Sequence, residues 1–75
     1  MAKRLRYDRH ARRRMKWRKI SEKQIEAVLG KPDIVEELAS GRTNALRHFG
    51  GRLLKVTYKD LGEEILIISA VDKSD

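Results

Sequence analysis

The hydrophobic periodicity of the chain changes once, at Gly30-Lys31-Pro32. Before this point apolar residues recur at helical spacing, whereas after it β-branched residues accumulate and the period shortens to that of a strand. Glycine ends a helix readily, and Pro32 prevents the helix from resuming because its ring fixes φ and it has no amide hydrogen. The sequence therefore predicts helices first and strands afterwards.

Two helices are predicted in the first part of the chain. The first covers 8–19, a stretch without Gly, Pro or β-branched residues, and Asp8 can cap its N-terminus. The second covers 22–30, because Ser21 and Gln24 form an S-x-x-Q capping box immediately before it.

Four strands are predicted in the second part, at 34–39, 43–49, 52–59 and 64–71. Gly41 and Gly50 supply the turns that precede the second and third of these strands. The last strand is apolar on both faces, which indicates a central position. We expect an α+β fold (α-α-β-β-β-β) in which two N-terminal helices pack on one face of a four-stranded antiparallel sheet and the other face stays open.

Length and composition limit the class of protein. A chain of 75 residues supports one small core, so we expect a single basic domain over 1–75. The absence of cysteine excludes disulfides and thiolate metal sites and fits a reducing compartment. No apolar run is long enough to span a membrane, and no secretory signal follows the basic start. We therefore expect a cytoplasmic protein that does not bind membranes.

Positive charge is concentrated at the N-terminus. Residues 1–20 contain ten Lys or Arg and one acid, whereas the other 55 contain eight Lys or Arg and ten acids, so the net charge of +7 arises at one end. Such asymmetry is typical of proteins that bind an anionic partner. Tyr7, His10 and Trp17 add aromatic surfaces, and the imidazole of His10 is also a titratable group. The prediction places Tyr7 with the first helix. The combination indicates RNA.

Helical geometry divides the first helix into two adjacent faces. At 100° per residue, Ala11 and Met15 fall together and are expected to pack on the sheet. His10, Arg14 and Arg18 follow one another at i, i+4 and i+8, along the rim where the helix meets the sheet.

The string from His10 to Ser21, H-A-R-R-R-M-K-W-R-K-I-S, resembles the H-A-x-x-R-M-x-x-R-x-I-S signature of a small prokaryotic family, domain of unknown function 4258. Three further blocks follow in the order of that family's pattern: 25–29, 31–33 and 51–56, before a final isoleucine-rich strand. The family is similar in fold to RelE-type toxins and to barnase-like and colicin-like ribonucleases, in which two helices precede a four-stranded sheet whose open face receives RNA. The resemblance thus implies an RelE-like fold.

If the resemblance extends to chemistry, the ribose 2′-hydroxyl attacks its own 3′-phosphate without a metal. Such a reaction needs a base, an acid and cationic donors for the developing charge. The residues assigned to catalysis are His10, Arg14 and His48. The two histidines are candidates for base and acid because histidine ordinarily titrates near neutrality, and Arg14 is a cationic donor for the developing charge. The residues assigned to substrate binding are Arg13, Trp17, Arg18, Arg47, Arg52 and Lys55. We expect no cofactor and no metal site, since two histidines without a carboxylate cluster do not form one.

Structural roles compete with these assignments. His10 is equally explained as a helix-start histidine that bonds a backbone group or the sheet edge. His48 is better explained as a packed or solvated strand residue, and Arg14 and Arg18 are equally explained as solvated or ion-paired residues. Trp17 fits a partly buried anchor better than a base-stacking residue.

Three functions stay open for the chain. The first is a toxin-like endoribonuclease, for which messenger RNA within the ribosome is a candidate substrate and an acidic antitoxin segment that covers the first helix and the open sheet face is a candidate partner. The second is a basic module that binds RNA or the ribosome without cleaving it, and the third is a protein-interaction domain that receives an acidic partner segment.

Overall fold

The computed structural model describes residues 4–73, and its first element is a strand that precedes the helices. The elements are β1 (Arg4–Tyr7), α1 (Arg9–Arg18), α2 (Glu22–Gly30), β2 (Ile34–Glu37), β3 (Thr43–Phe49), β4 (Arg52–Asp60) and β5 (Glu64–Asp72). Residues 1–3, which the sequence places in the cationic N-terminal segment, lie outside the described residues.

Five strands form one mixed sheet in the order β1-β5-β4-β3-β2. β1 pairs with β5 in parallel, from Arg4 opposite Glu64 to Tyr7 opposite Ile67, and the other neighbours are antiparallel. The predicted four-stranded antiparallel sheet is therefore wrong, although the α+β class is confirmed. Tyr7 ends β1 and does not belong to the first helix. Only pairing with β5, 60 positions later in the chain, makes this arginine-rich segment a strand.

Both helices begin where the capping residues predict. The Asp8 carboxylate accepts the amide hydrogen of His10 at 2.8 Å and caps α1. Ser21 Oγ accepts the amide hydrogen of Gln24, and Gln24 Oε1 accepts that of Ser21, which completes the predicted capping box of α2. These contacts satisfy amide groups that have no partner inside a helix.

The later strands agree closely with the prediction. β3 spans the predicted residues, and β4 and β5 each extend one residue further. β2 ends two residues early, because Leu38 already closes a turn in which its amide donates to the Arg42 carbonyl. Gly41 and Gly50, with φ of +82° and +59°, occupy the two turns in a conformation that favours glycine.

Both helices pack on the same face of the sheet. Strand register places Ala45, Val56 and Ala70 side by side, and they meet Ala11 and Met15 of α1 in one buried cluster. α2 contributes Ile25 and Val28. Burying this continuous apolar surface stabilises the fold.

The opposite face of the sheet carries no helix within residues 4–73, as predicted. Asn44, Thr57 and Ser69 form a polar row across it, and Thr57 Oγ1 donates a 2.7 Å hydrogen bond to Asn44 Oδ1. Neither α1 nor α2 is long and apolar enough to cross a membrane.

Candidate nucleic-acid interface

Helix α1 presents a cationic face to solvent. Ala11 and Met15 are buried against the sheet, so the residues on the far side of the helix point outward. Arg13 lies about 180° from the centre of the buried stripe at 100° per residue. The exposed residues nearest to Arg13 around the helix are Arg9, His10, Lys16 and Trp17. We call Arg9, His10, Arg13, Arg14, Lys16 and Trp17 the α1 face.

The arginines and the lysine of the α1 face have no acidic partner among residues 4–73. Ion pairs elsewhere in this part of the chain join Arg6 to Glu64, Arg12 to Glu22 and Arg52 to Asp72. α1 itself contains no acid between its first and last residues. The positive potential of the face is therefore not neutralised by neighbouring carboxylates, a condition that favours anion binding.

Trp17 is 89% exposed, and the expectation that it is a partly buried anchor is wrong. The two cation–ring contacts among the described residues use other rings, with Arg12 over Tyr7 and Arg47 over Phe49, each at 5.1 Å. The indole of Trp17 is thus accessible in the middle of the α1 face.

Arg12 lies on the flank of α1 and has a structural role. Its guanidinium carbon is 5.1 Å from the Tyr7 ring centroid, and its Nη2 is 4.0 Å from Glu22 Oε1. Burial, to which the Glu22 and Glu26 carboxylates add, raises the pKa of Tyr7 to about 12, although Arg12 opposes this shift. The cluster joins β1, α1 and the start of α2.

Two predicted substrate-binding arginines donate to backbone carbonyls instead. Arg18 Nη1 lies 2.9 Å from the Ala70 carbonyl oxygen, at the sheet rim that the sequence predicts. Arg47 Nη1 lies 2.9 Å from the carbonyl oxygen of Ala27, in the last turn of α2. Each satisfies a carbonyl and leaves less of its guanidinium available for phosphate.

The other two residues assigned to binding, Arg52 and Lys55, both lie in β4. Arg52 Nε is 2.8 Å from Asp72 Oδ2, and both side chains are about two-thirds buried. Lys55 lies between Leu46 and Val71 on the sheet face without helices. Their binding roles stay predictions, because Arg52 is held by Asp72 and Lys55 lies on the face that the helices do not cover.

His48 is bound to Asp33. Asp33 Oδ2 accepts hydrogen bonds from the His48 amide at 2.8 Å and lies 3.2 Å from Nδ1 of the ring. The His48 amide, followed by the His48 ring, lowers the pKa of the Asp33 carboxyl below its usual value. The contact attaches the connection between α2 and β2, where Asp33 lies, to His48 in β3.

His10 and His48 do not approach each other. Arg47 contacts α2, so His48, the next residue along β3, points to the opposite face of the sheet. His10 lies in the first turn of α1, which packs over β5, and β4 separates β5 from β3. Two strand spacings amount to roughly 10 Å even before the thickness of the helical layer is added. The two rings therefore cannot flank one phosphate as base and acid, which would require about 5 to 8 Å.

Within residues 4–73, no three side chains of His, Asp or Glu lie close enough together to hold a metal ion. An open depression at one end of the sheet is lined by Arg4, Leu61, Glu63 and Glu64. It contains none of the predicted site residues, and its mixed charges do not favour a polyanion.

Comparison with known proteins identifies one family. The sequence model of the family described as Domain of unknown function (DUF4258) matches residues 7–72, from the end of β1 to the end of β5. No curated protein and no solved structure matches the chain significantly.

Proposed function

The chain belongs to the family described as Domain of unknown function (DUF4258), and from its charge distribution we propose that it is an RNA-binding domain whose α1 face contacts the phosphate backbone. The observation that carries the proposal is the set of exposed α1 cations without acidic partners among residues 4–73. Like charges at this spacing repel each other in a helix, and bound phosphates would remove that repulsion.

RNA is favoured over other polyanions by the resemblance of the His10–Ser21 segment to that family and, through it, to RNA-cleaving toxins of the RelE type. Because prokaryotic RNA and ribosomes are cytoplasmic, the proposal also places the protein in the cytoplasm. An acidic antitoxin segment would fit the same α1 face by charge, and it would then compete with RNA.

The salt dependence of binding tests the proposal. If the α1 face neutralises about four to six phosphates of single-stranded RNA, the logarithm of affinity falls against the logarithm of salt concentration with a slope of roughly −3 to −4. Fluorescence anisotropy of a labelled RNA measures this slope. The Arg13→Ala variant should bind more weakly, with a slope reduced in magnitude by about 0.7.

The matched control is Arg42→Ala, which removes an exposed arginine from the turn before β3. Its binding should equal that of the wild-type protein. Equal losses in both variants would reduce the proposal to an effect of net charge, and undetectable binding at low salt would overturn it.

A second candidate is RNA cleavage, which the placement of His10 on the α1 face favours. No hydrogen bond of its ring occurs within residues 4–73, and Arg14 follows one turn later. The 2′-hydroxyl oxygen would bond to the adjacent phosphorus as the 5′-oxygen leaves, giving a 2′,3′-cyclic phosphate. His10 would take the hydroxyl proton, Arg14 would face the developing negative charge, and water would protonate the leaving oxygen.

Mapping RNA ends separates cleavage from binding. The protein is incubated with free RNA and with translating ribosomes, beside His10→Ala, Arg14→Ala and the Arg42→Ala control. New RNA ends made by the wild-type protein and by the control, but not by His10→Ala, establish RNA cleavage that requires His10. Intact RNA in every sample would exclude cleavage and would retain RNA binding as the proposed function.

A further inference from the structure

We propose, on the basis of the RNA binding proposed above, that the ligand is single-stranded and that one of its unpaired bases stacks on the indole of Trp17. This ring is the largest exposed apolar group of the α1 face, and its 89% exposure leaves it accessible to a ligand. Base–aromatic stacking is tolerant of sequence, because every base has a π face. In a duplex those faces are covered by neighbouring bases, so only an unpaired base can use the indole.

The cations next to Trp17 are placed to hold the phosphate of a stacked nucleotide. Arg13 precedes Trp17 by four residues and Arg14 by three, and Cβ atoms at these spacings are about 5–6 Å apart. Helical side chains lean toward the N-terminus, so the indole extends over the turn that carries both arginines. Stacking and phosphate contact therefore come from one patch.

The surroundings of Trp17 also indicate an external partner for its ring. Tyr7 and Phe49 each have an arginine over the ring, whereas no cation–ring contact within the described residues involves Trp17. The cationic neighbours of Trp17 remain directed to solvent. A base on the indole would supply the stacking contact that the protein itself does not make.

A lipid surface is a less suitable partner for the same helix. A helix that lies in a membrane interface needs a broad apolar face toward the lipid. The apolar residues of α1, Ala11 and Met15, are buried against the sheet, which leaves Trp17 as the one large apolar group on the outward side. Vesicle binding is therefore a contrary outcome of the test.

Trp17 is the only tryptophan in the chain, so its intrinsic fluorescence reports on this site alone. The whole protein is titrated at low salt with oligouridylate, with an abasic oligonucleotide of equal phosphate number, with an RNA duplex of equal length, and with phosphatidylserine vesicles. The expected result is saturable quenching by oligouridylate and little quenching by the abasic strand or the duplex.

Anisotropy of labelled oligonucleotides gives the affinities of the variants. Trp17→Ala should bind oligouridylate about 5- to 150-fold more weakly, the range expected for the loss of one stacked base, and the abasic strand as tightly as the wild type does. Trp17→Phe should recover part of the loss. Because the side chain is exposed, urea denaturation should show all three proteins to be equally stable.

The outcomes separate this inference from the proposed function. Equal affinity for base-containing and abasic strands, unchanged in Trp17→Ala, overturns stacking but retains phosphate binding. A change in Trp17 fluorescence with vesicles and none with oligouridylate overturns it in favour of a membrane surface. Absence of binding to every oligonucleotide overturns both proposals.

Discussion

Arg18 Nη1 donates a 2.9 Å hydrogen bond to the carbonyl oxygen of Ala70, and this contact ties the last turn of α1 to β5 beyond the residues that pair with β1. Arg18→Ala should lower the free energy of unfolding by about 1 kcal/mol, because a carbonyl loses its charged donor at a partly exposed site. Urea denaturation of the two proteins measures the change.

Arg14→Ala is the matched control, since Arg14 is exposed on the same helix. Its free energy of unfolding should stay within about 0.5 kcal/mol of wild type. A similar loss in both variants would show that the general charge of α1, and not the Ala70 contact, is responsible.

The strand β1 should be required for stability. Leu5 is half-buried, packs against the core and lies opposite Ile65 of β5. Leu5→Ala should lower the free energy of unfolding by about 1–2 kcal/mol, below the range for fully buried leucines. Arg4→Ala, an exposed change in the same strand, should have little effect in the same denaturation experiment. Equal stability of all three proteins would contradict the assignment of β1 to the sheet.

The elements that could be predicted from sequence have local causes. Asp8 and the Ser21–Gln24 box determine where the helices begin, and both signals lie within four residues of the helix starts. β1 has no such signal, because four residues rich in arginine become a strand only by pairing with β5. One feature of the sequence did indicate a further strand. The last strand is apolar on both faces, as central strands are, whereas a sheet of four strands in chain order would leave it at the edge.

The candidate site was predictable in part for the same reason. Helical angles derived from the sequence separate the buried Ala11 and Met15 from the exposed face, and they place Trp17 on that exposed face. The expectation of a partly buried indole followed residue type instead and was wrong. The partners of Arg47 and His48 depend on how α2 meets β3, which local sequence does not determine.

Alkaline pH should destabilise the protein through Tyr7. Its pKa of about 12 in the folded protein exceeds the ordinary 10.0 of the unfolded chain, so between these pH values the unfolded tyrosine is ionised and must take up a proton when the chain folds. Stability from this group is therefore complete below pH 10 and decreases as pH rises toward 12. Tyr7→Phe should show a shallower decrease in urea midpoint over this range. Identical slopes would mean that Tyr7 titrates normally.

Acid should destabilise the protein through the contact between Asp33 and His48. The folded pKa of Asp33 lies below its ordinary 3.8, first because the His48 amide donates to the carboxylate and second because of the His48 ring. The contribution of Asp33 to stability is thus present above pH 3.8 and lost as pH falls through the lowered value. Asp33→Asn keeps an oxygen acceptor without this titration, so its urea midpoint should depend less on pH in this range.

The His48→Ala variant divides the effect of Asp33 between its two donors. It retains the backbone amide, which is the larger cause of the shift, and removes the ring. Its urea midpoint should therefore keep most of the acid dependence that Asp33→Asn loses. If His48→Ala and Asp33→Asn flatten the pH profile equally, the ring and not the amide holds the carboxylate in its charged form.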